Sequence, residues 1–514
     1  MHTAIRSLCV LSLSAALCAP GPVLAATVTR AEAGTVSGAG AGTGTGAGAG
    51  LSAYDHQRLQ WTSCPGIDDP RLQCASVRVP LDYAHPGRRA ISVTISRLPA
   101  TDPARRRGVL LTTGGGPGGA GVPLPLQLSQ SLDPAVLATY DLIGFDERFV
   151  ERSTPITCGQ PGEEPGGFWV RVDGYQSFDA TRRQAAALAR DCARHAGWAL
   201  PYATTANAAR DMDVIRAVLG ERTISYLGGS YAALIGVAYS SLFPARLDRL
   251  VLDSPPDYDN VWRSFELGRT AAMESNYNAF LASLAQSDAL YHLGTTPAQV
   301  GTAITTVLHQ ANAQPIVAGD HAWTFGELGY LLVVATYFQQ LWQVVALDFV
   351  SIRAGMPPPV PLEVFPAALP GTPGVPADNH TAVNLAFRCG DNSWPHRSDT
   401  YQDDLILYSR LYPVYGPANA DIGPCAFWPV SRDNTIPLSA NRARGALITA
   451  ALLDAAVPLP NSLATHAAIR GSRLVTVDLR VHTPLLSGQG DTCMTSTVTV
   501  YLLTGQLPGS DLAC

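Results

Sequence analysis

Charge is scarce in this sequence. Asp, Glu, Lys and Arg make up 15% of 514 residues, against 46% hydrophobic ones, and the net charge is −6. That balance excludes general disorder and describes a globular chain long enough to fill two or more domains. No basic stripe or lysine run occurs, so nothing points to a nucleic-acid partner. Long apolar runs are missing beyond the N-terminus. Tyr330 to Val350 comes closest to a membrane span, but Gln339, Gln340, Gln343 and Asp348 interrupt it. There is no C-x-x-C and no histidine pair at ligand spacing, which argues against zinc; no metal or other cofactor is expected.

Residues 1–25 read as a signal peptide. Met1 to Arg6 carries one positive charge, Ser7 to Ala19 is apolar but too short for a stable bilayer anchor, and Val23-Leu24-Ala25 gives a small-x-small site with a cut before Ala26. Cys18 follows Leu17, where a lipoprotein signal needs a small residue, so no membrane anchor is expected and the protein is read as secreted. Cys9 and Cys18 leave with the signal, and eight of the ten cysteines remain, an even number suited to an oxidising compartment. Sequential pairing is the simplest arrangement, but spacing alone leaves the connectivity open.

Ala33 to Gly50 is almost wholly glycine, alanine and threonine and reads as part of a flexible linker over 26–52, with the fold beginning near Ser52. Ala75–Tyr83, Ala90–Leu98, Val109–Thr113, Asp141–Asp146, Thr223–Leu227 and Arg249–Asp253 read as strands, and Asn207–Leu219 as a helix stopped by Gly220. Strand patterns resume at Ala446–Leu453 and Arg473–Leu479. Strands alternating with helices imply an α/β fold: a mostly parallel sheet with helices on both faces. The helical, proline-rich block 260–432 then reads as a lid inserted between core segments 53–259 and 433–514.

The stretch ISYLGGSYAALIGVAYSSLF, Ile224 to Phe243, runs a buried strand into two glycines, a serine and an apolar helix. That is the build of the G-x-S-x-G nucleophile elbow, with Ala232 in place of the last glycine. The plain alternative is a tight strand-helix turn with a solvated serine. An elbow serine needs a histidine to take its proton and a carboxylate to orient the histidine, following it in the order Ser, Asp or Glu, His. Asp454 and His482 end consecutive late strands and fit these roles better than His466, which lies in the helix between them, or Asp478, read as inside a strand. Oxyanion donors are expected at the N–H of Tyr231 and in the glycine loop 113–119, at Gly116, because backbone amides must approach the developing charge. A phosphate loop is the rival reading of those glycines, but no G-K-S/T follows and Pro117 interrupts the run.

From about Trp61 to Cys514 the chain resembles the secreted tripeptidyl aminopeptidases and their proline iminopeptidase-like relatives among α/β-hydrolases, the actinobacterial type with a TAP-like C-terminal segment. WTSC…QCASVRVPLDY, GGGPGG, YDLIGFDER…RSTPITC, TTANAARDMDVIRAVLG, ISYLGGSY, FPARLDRLVLDS, ALLDAAVP and GSRLVTVDLRVHTPLLSG carry the likeness. It implies Ser230 as nucleophile, Asp454 as orienter and His482 as base. It also implies disulfides Cys64–Cys74, Cys158–Cys192, Cys389–Cys425 and Cys493–Cys514. Relatives often carry a further cysteine pair in the lid, near Leu284 and Tyr291 here. Other departures crowd the catalytic face: Ala232 in the elbow, Phe149 and Glu151 where glycines are usual, DAAVP for DPATP after Asp454, and Thr483 for a glycine after the histidine.

The leading reading is therefore an exported serine hydrolase, an aminopeptidase that releases short N-terminal peptides through an acyl-enzyme and acts as a monomer on a peptide or small acyl substrate. A lid carboxylate would hold the substrate ammonium, with Asp320, Glu327, Asp348 and Asp391 as candidates. The alternative keeps the triad and turns over an ester, lactone or modified peptide, or transfers an acyl group to a secreted metabolite. A third reading, a degenerate hydrolase that only binds, requires the substitutions to have spoiled the site.

Overall fold

The computed structural model describes residues 46–162, 177–359, 374–430, 443 and 445–514. The signal segment, most of the linker and the expected end of the insertion at 432 lie outside the described residues. Helix α1 (Gly46–Asp55) forms within the glycine-rich stretch, ahead of Ser52, where the linker was expected to continue. Its anchor is tertiary: Tyr54 is buried and its hydroxyl donates to Pro86 O at 2.9 Å.

Strands β1 (Thr62–Ser63), β2 (Gln73–Pro80) and β3 (Ala90–Leu98) run antiparallel at one side of the sheet. Then come β4 (Gly108–Thr113), α2 (Leu124–Ser131), α3 (Pro134–Thr139), β5 (Tyr140–Phe145), α4 (Phe178–Ala196), α5 (Thr205–Val218), β6 (Ile224–Gly229), α6 (Tyr231–Leu242) and β7 (Leu247–Asp253). The helical insertion follows: α7 (Arg263–Gln286), α8 (Asp288–Tyr291), α9 (Pro297–Ala313), the hairpin β8 (Ile316–Ala318) and β9 (His321–Trp323), α10 (Phe325–Tyr337), α11 (Trp342–Arg353), α12 (Asn379–Gly390), α13 (Ser398–Leu411) and α14 (Tyr415–Ala420). The chain returns to the sheet with β10 (Leu447–Ala451), α15 (Leu459–Ala468), β11 (Arg473–Val477), α16 (Thr492–Thr504) and β12 (Leu512–Ala513).

The main sheet has the order β1-β2-β3-β5-β4-β6-β7-β10-β11-β12, and every pair from β5 to β12 is parallel. Because successive side chains point to opposite faces, Val109 and Leu111 join one core with Ile143 and Tyr226, while Leu110 joins the other with Leu142, Leu227 and Val251. Both faces are covered, which explains why β4 and β6 are buried at every position. Tyr330 to Val350 is not one span: α10 ends at Tyr337 and α11 begins at Trp342. Among the described residues, no helix is long and apolar enough to cross a membrane.

Four disulfides join the cysteines in sequential order. Cys64–Cys74 closes onto β2, Cys158–Cys192 ties the segment after β5 to α4, Cys389–Cys425 fixes α12, and Cys493–Cys514 holds α16 to the C-terminus. Their number indicates an oxidising compartment. Leu284 and Tyr291, near where relatives often have another cysteine pair, are both buried in the insertion's own apolar core with Phe280 and Leu331.

Candidate active site

The turn from β6 into α6 is set by crowding. Ser230 has φ 56° and ψ −125°, a backbone state that non-glycine residues rarely adopt. A Cβ on Gly228 would lie 2.8 Å from the carbonyl carbon and oxygen of Ala232, and one on Gly229 would lie 2.5 Å from Leu486 Cδ1 and 3.0 Å from Thr483 Cγ2. The backbone clash requires glycine at 228, whereas at 229 the close atoms are side-chain ends. The contact with Gly228 is made by the Ala232 backbone and not its methyl, and Tyr226 Oη donates to that same carbonyl at 2.8 Å. Alanine at 232 is thus accommodated, fully buried, in the first turn of α6. The Ser230 N–H donates to Asp253 O at 2.8 Å, so the elbow is latched to the end of β7.

Asp454 follows β10 and is buried. Its Oδ1 accepts the N–H groups of Ala456 and Val457 at 2.8 and 3.0 Å, and its Oδ2 lies 2.9 Å from His482 Nδ1. The backbone of His482 donates to Tyr337 O at 2.8 Å, and the Tyr337 ring centre lies 5.6 Å from that of the imidazole. The competing residues stand elsewhere. His466 contacts Ser472 Oγ and Asp511, and Asp478, expected inside a strand, lies just past the end of β11 and is exposed.

The glycine loop after β4 passes beside the serine. A Cβ on Gly115 would be 3.7 Å from Ser230 Cβ, and Gly116 and Gly118 have φ +121° and +103°, open only to glycine. Helix α12 braces this loop: Asn384 Nδ2 donates to Pro117 O at 2.9 Å, and His380 Cδ2 would lie 3.3 Å from a Cβ on Gly118. Tyr231, the first residue of α6, is buried, and its hydroxyl lies 2.9 Å from Thr205 Oγ1. Its backbone stands at the positive end of a helix dipole. Behind the loop, burial pushes the Glu147 carboxyl well above the usual range; Thr113 Oγ1 donates to it at 3.3 Å. Asp146 is likewise pushed up by burial, to about 6, and accepts the Gly121 and Val122 N–H groups.

Three of the positions at which this chain departs from the family's glycines share one backbone feature that Ala232, inside α6, lacks. Phe149, Glu151 and Thr483 have φ of 75°, 42° and 50°. Each costs on the order of 1–3 kcal/mol unless the surroundings hold it. Asn379 of α12 does so for the first two: its Oδ1 accepts from Glu151 N at 2.8 Å, and its Nδ2 donates to Phe149 O at 2.9 Å. A buried cluster in the helical insertion also escaped the reading of the sequence. Glu266 pairs with Arg269 at 2.5 Å and with Arg388, and Arg269 Nη1 donates to Tyr337 Oη at 2.9 Å, next to His482. No motif marks such a set, because its members come from α7, α10 and α12.

Two family models match, an alpha/beta hydrolase fold over residues 108–304 and a TAP-like protein over 412–514. The tripeptidyl aminopeptidase of Streptomyces lividans is 33% identical over 477 residues, covering 89% of this chain and 86% of that protein. The chain belongs to the tripeptidyl aminopeptidase family of α/β-hydrolases. As a member of that family it is a serine hydrolase. A serine protease of Mycobacterium tuberculosis is 27% identical over 491 residues, covering 89% of this chain and 91% of its own, and a carboxylesterase B from the same species is 28% identical over 478 residues, covering 88% and 89%. In this chain Ser230 and Gly116 fall within the first of the two matched segments, and Asp454 and His482 within the second.

Proposed function

We propose that this chain is an exported aminopeptidase that cleaves short peptides from free N-termini through an acyl-enzyme on Ser230. The observation that carries the reading is the Asp454–His482 bond of 2.9 Å, on a loop whose Thr483 packs against Gly229, the residue before the strained serine. With Nδ1 engaged by Asp454, Nε2 of His482 is the nitrogen left to take the Ser230 proton. The serine oxygen then attacks the scissile carbonyl, and the N–H groups of Tyr231 and Gly116 receive the oxyanion, each worth about 10²–10³ in turnover by analogy with known holes. His482 returns the proton to the departing amine, and water repeats the sequence to release the acyl group. The helical insertion acts as a lid, with α10 against the histidine and α12 against the glycine loop. The protein works as a monomer.

An ester substrate is the second reading, favoured by two observations. Bulky residues replace glycine at Phe149, Glu151 and Thr483. Two of the four acids expected to hold an ammonium are also engaged: Asp391 accepts Thr205 N and Oγ1 at 2.7 and 2.6 Å, and Glu327 completes the capping box of α10. A panel of free and N-acetylated peptidyl fluorophores beside simple esters tests the choice. Cleavage of free peptides alone supports the aminopeptidase, and cleavage of esters alone replaces it with the esterase.

A further inference from the structure

Strand β7 ends on Asp253, a fully buried carboxylate with no part in the triad. Its backbone oxygen accepts the Ser230 N–H at 2.8 Å. Its side chain reaches two other elements: Oδ1 accepts from Thr449 Oγ1 of β10 at 2.8 Å, and Oδ2 accepts from Leu486 N at 2.9 Å. Leu486 belongs to the turn after His482, closed by the Ser487 N–H on Thr483 O. The next residue, Ser254, adds a third tie, accepting the Thr483 N–H on Oγ at 3.2 Å. The side chains pressed against the elbow at Gly229 are Leu486 and Thr483, the same two residues that Asp253 and Ser254 hold.

We propose that Asp253 is a positioning residue of the hydrolytic site: it fixes the distance between Ser230 and His482 by holding the elbow with its carbonyl and the histidine loop with its carboxylate. The inference rests on the proposed roles of Ser230 and His482. A carboxylate is more than the fold requires at this point. An amide of the same shape could accept from Leu486 and donate to Thr449, whereas a buried charge without a fixed counter-ion is costly. The groups facing it are Thr449 from β10, which does not titrate, and His482 from the loop after β11, with Asp454 on the far side of that imidazole. Burial pushes the Asp253 carboxyl up to about 7, while the Leu486 N–H, the Thr449 hydroxyl and the His482 charge pull it down. Its negative charge is therefore favoured when His482 is protonated, as it is while the serine proton is in transit.

The test uses the mature protein, a simple ester as substrate and the variants Asp253→Ala, Asp253→Asn and Ser230→Ala. Loss of positioning is expected to lower kcat by about 10²-fold in D253A, with KM changed by less than about threefold, and D253N is expected to recover most of that loss. A merely structural carboxylate would cost stability in D253A and leave the kcat of the folded protein unchanged. A folded D253A with wild-type kcat therefore overturns the proposal. Where D253A fails to fold, Thr449→Val, which removes the donor to Oδ1, is expected to lower kcat about tenfold with KM changed by less than about threefold, and wild-type kcat in T449V overturns the proposal instead. Turnover by S230A would remove the reading on which the proposal stands, while the kcat of D253A still reports whether Asp253 acts on turnover.

Discussion

Asp454 Oδ2 and His482 Nδ1 lie 2.9 Å apart at the ends of neighbouring parallel strands, and both side chains are buried. Asp454 also accepts two backbone N–H groups of its own loop, so the carboxylate is held before the histidine meets it. Asp454→Asn keeps the shape and removes the charge that fixes the tautomer. Turnover should fall about 10⁴-fold in D454N, and by a comparable factor in H482A, with circular dichroism unchanged. Steady-state kinetics on an ester checks this, and near-normal turnover in either variant would mean that another residue does the work.

Thr483 combines a β-branched side chain with φ 50° beside the elbow. Glycine there relieves the strained backbone but adds freedom to the unfolded chain and removes the methyl that touches the Gly229 site. Relief of about 1–3 kcal/mol against an entropy cost of about 0.5–1 kcal/mol leaves T483G as stable as the wild type or slightly more so. Urea unfolding measures the difference; a clear loss of stability would show that methyl packing outweighs backbone strain at this position.

Asp391 caps α5 from a buried position, and burial pushes its carboxyl from 3.8 up to about 6. The folded state thus keeps a proton that the unfolded chain releases, and stability contributed by this group falls as pH rises between 3.8 and about 6. Asn at 391 can accept from Thr205 N and donate to Thr205 Oγ1, with the second bond reversed, and has no such dependence. Chemical unfolding at pH 4 and pH 8 should therefore show D391N gaining on the wild type at the higher pH. A gap that is equal at both values, or that moves the other way, contradicts the assignment.

The four disulfides leave no described cysteine free. Alkylation of the native protein without reduction should modify none of the eight, and mass spectrometry reads this directly. Replacing both Cys158 and Cys192 by serine should cost about 2–5 kcal/mol, because the bridge ties the segment after β5 to α4. A native protein that alkylates at Cys158 would break the sequential connectivity.

Long buried strands were legible because β4 and β6 are covered on both faces and are built mainly of apolar residues. The elbow was legible because glycine at 228 is forced by the Ala232 backbone at 2.8 Å and a small residue at 229 leaves room for Leu486 and Thr483. Helix α1 was not: glycine disfavours helix, and the anchoring bond from Tyr54 to Pro86 is long-range. Strands as short as β12, or the hairpin β8–β9, carry too few residues to show a period. The left-handed backbone at Phe149 and Thr483 has no local signal, since aromatic and β-branched residues avoid it; only the glycines usual at those places in the family point to it. Asp253 read simply as a strand end, because the partners that give it meaning, Thr449 and Leu486, lie far along the chain.

The measurement that bears most directly on the account is active-site labelling of the mature protein with a fluorophosphonate, followed by peptide mapping. Ser230, held at φ 56° between β6 and α6 and latched to Asp253 O, should carry the single adduct. Labelling should vanish in S230A and slow strongly in H482A. An adduct on any other serine, or undiminished labelling of S230A, would contradict the assignment of the nucleophile and with it the mechanism built on Asp454 and His482.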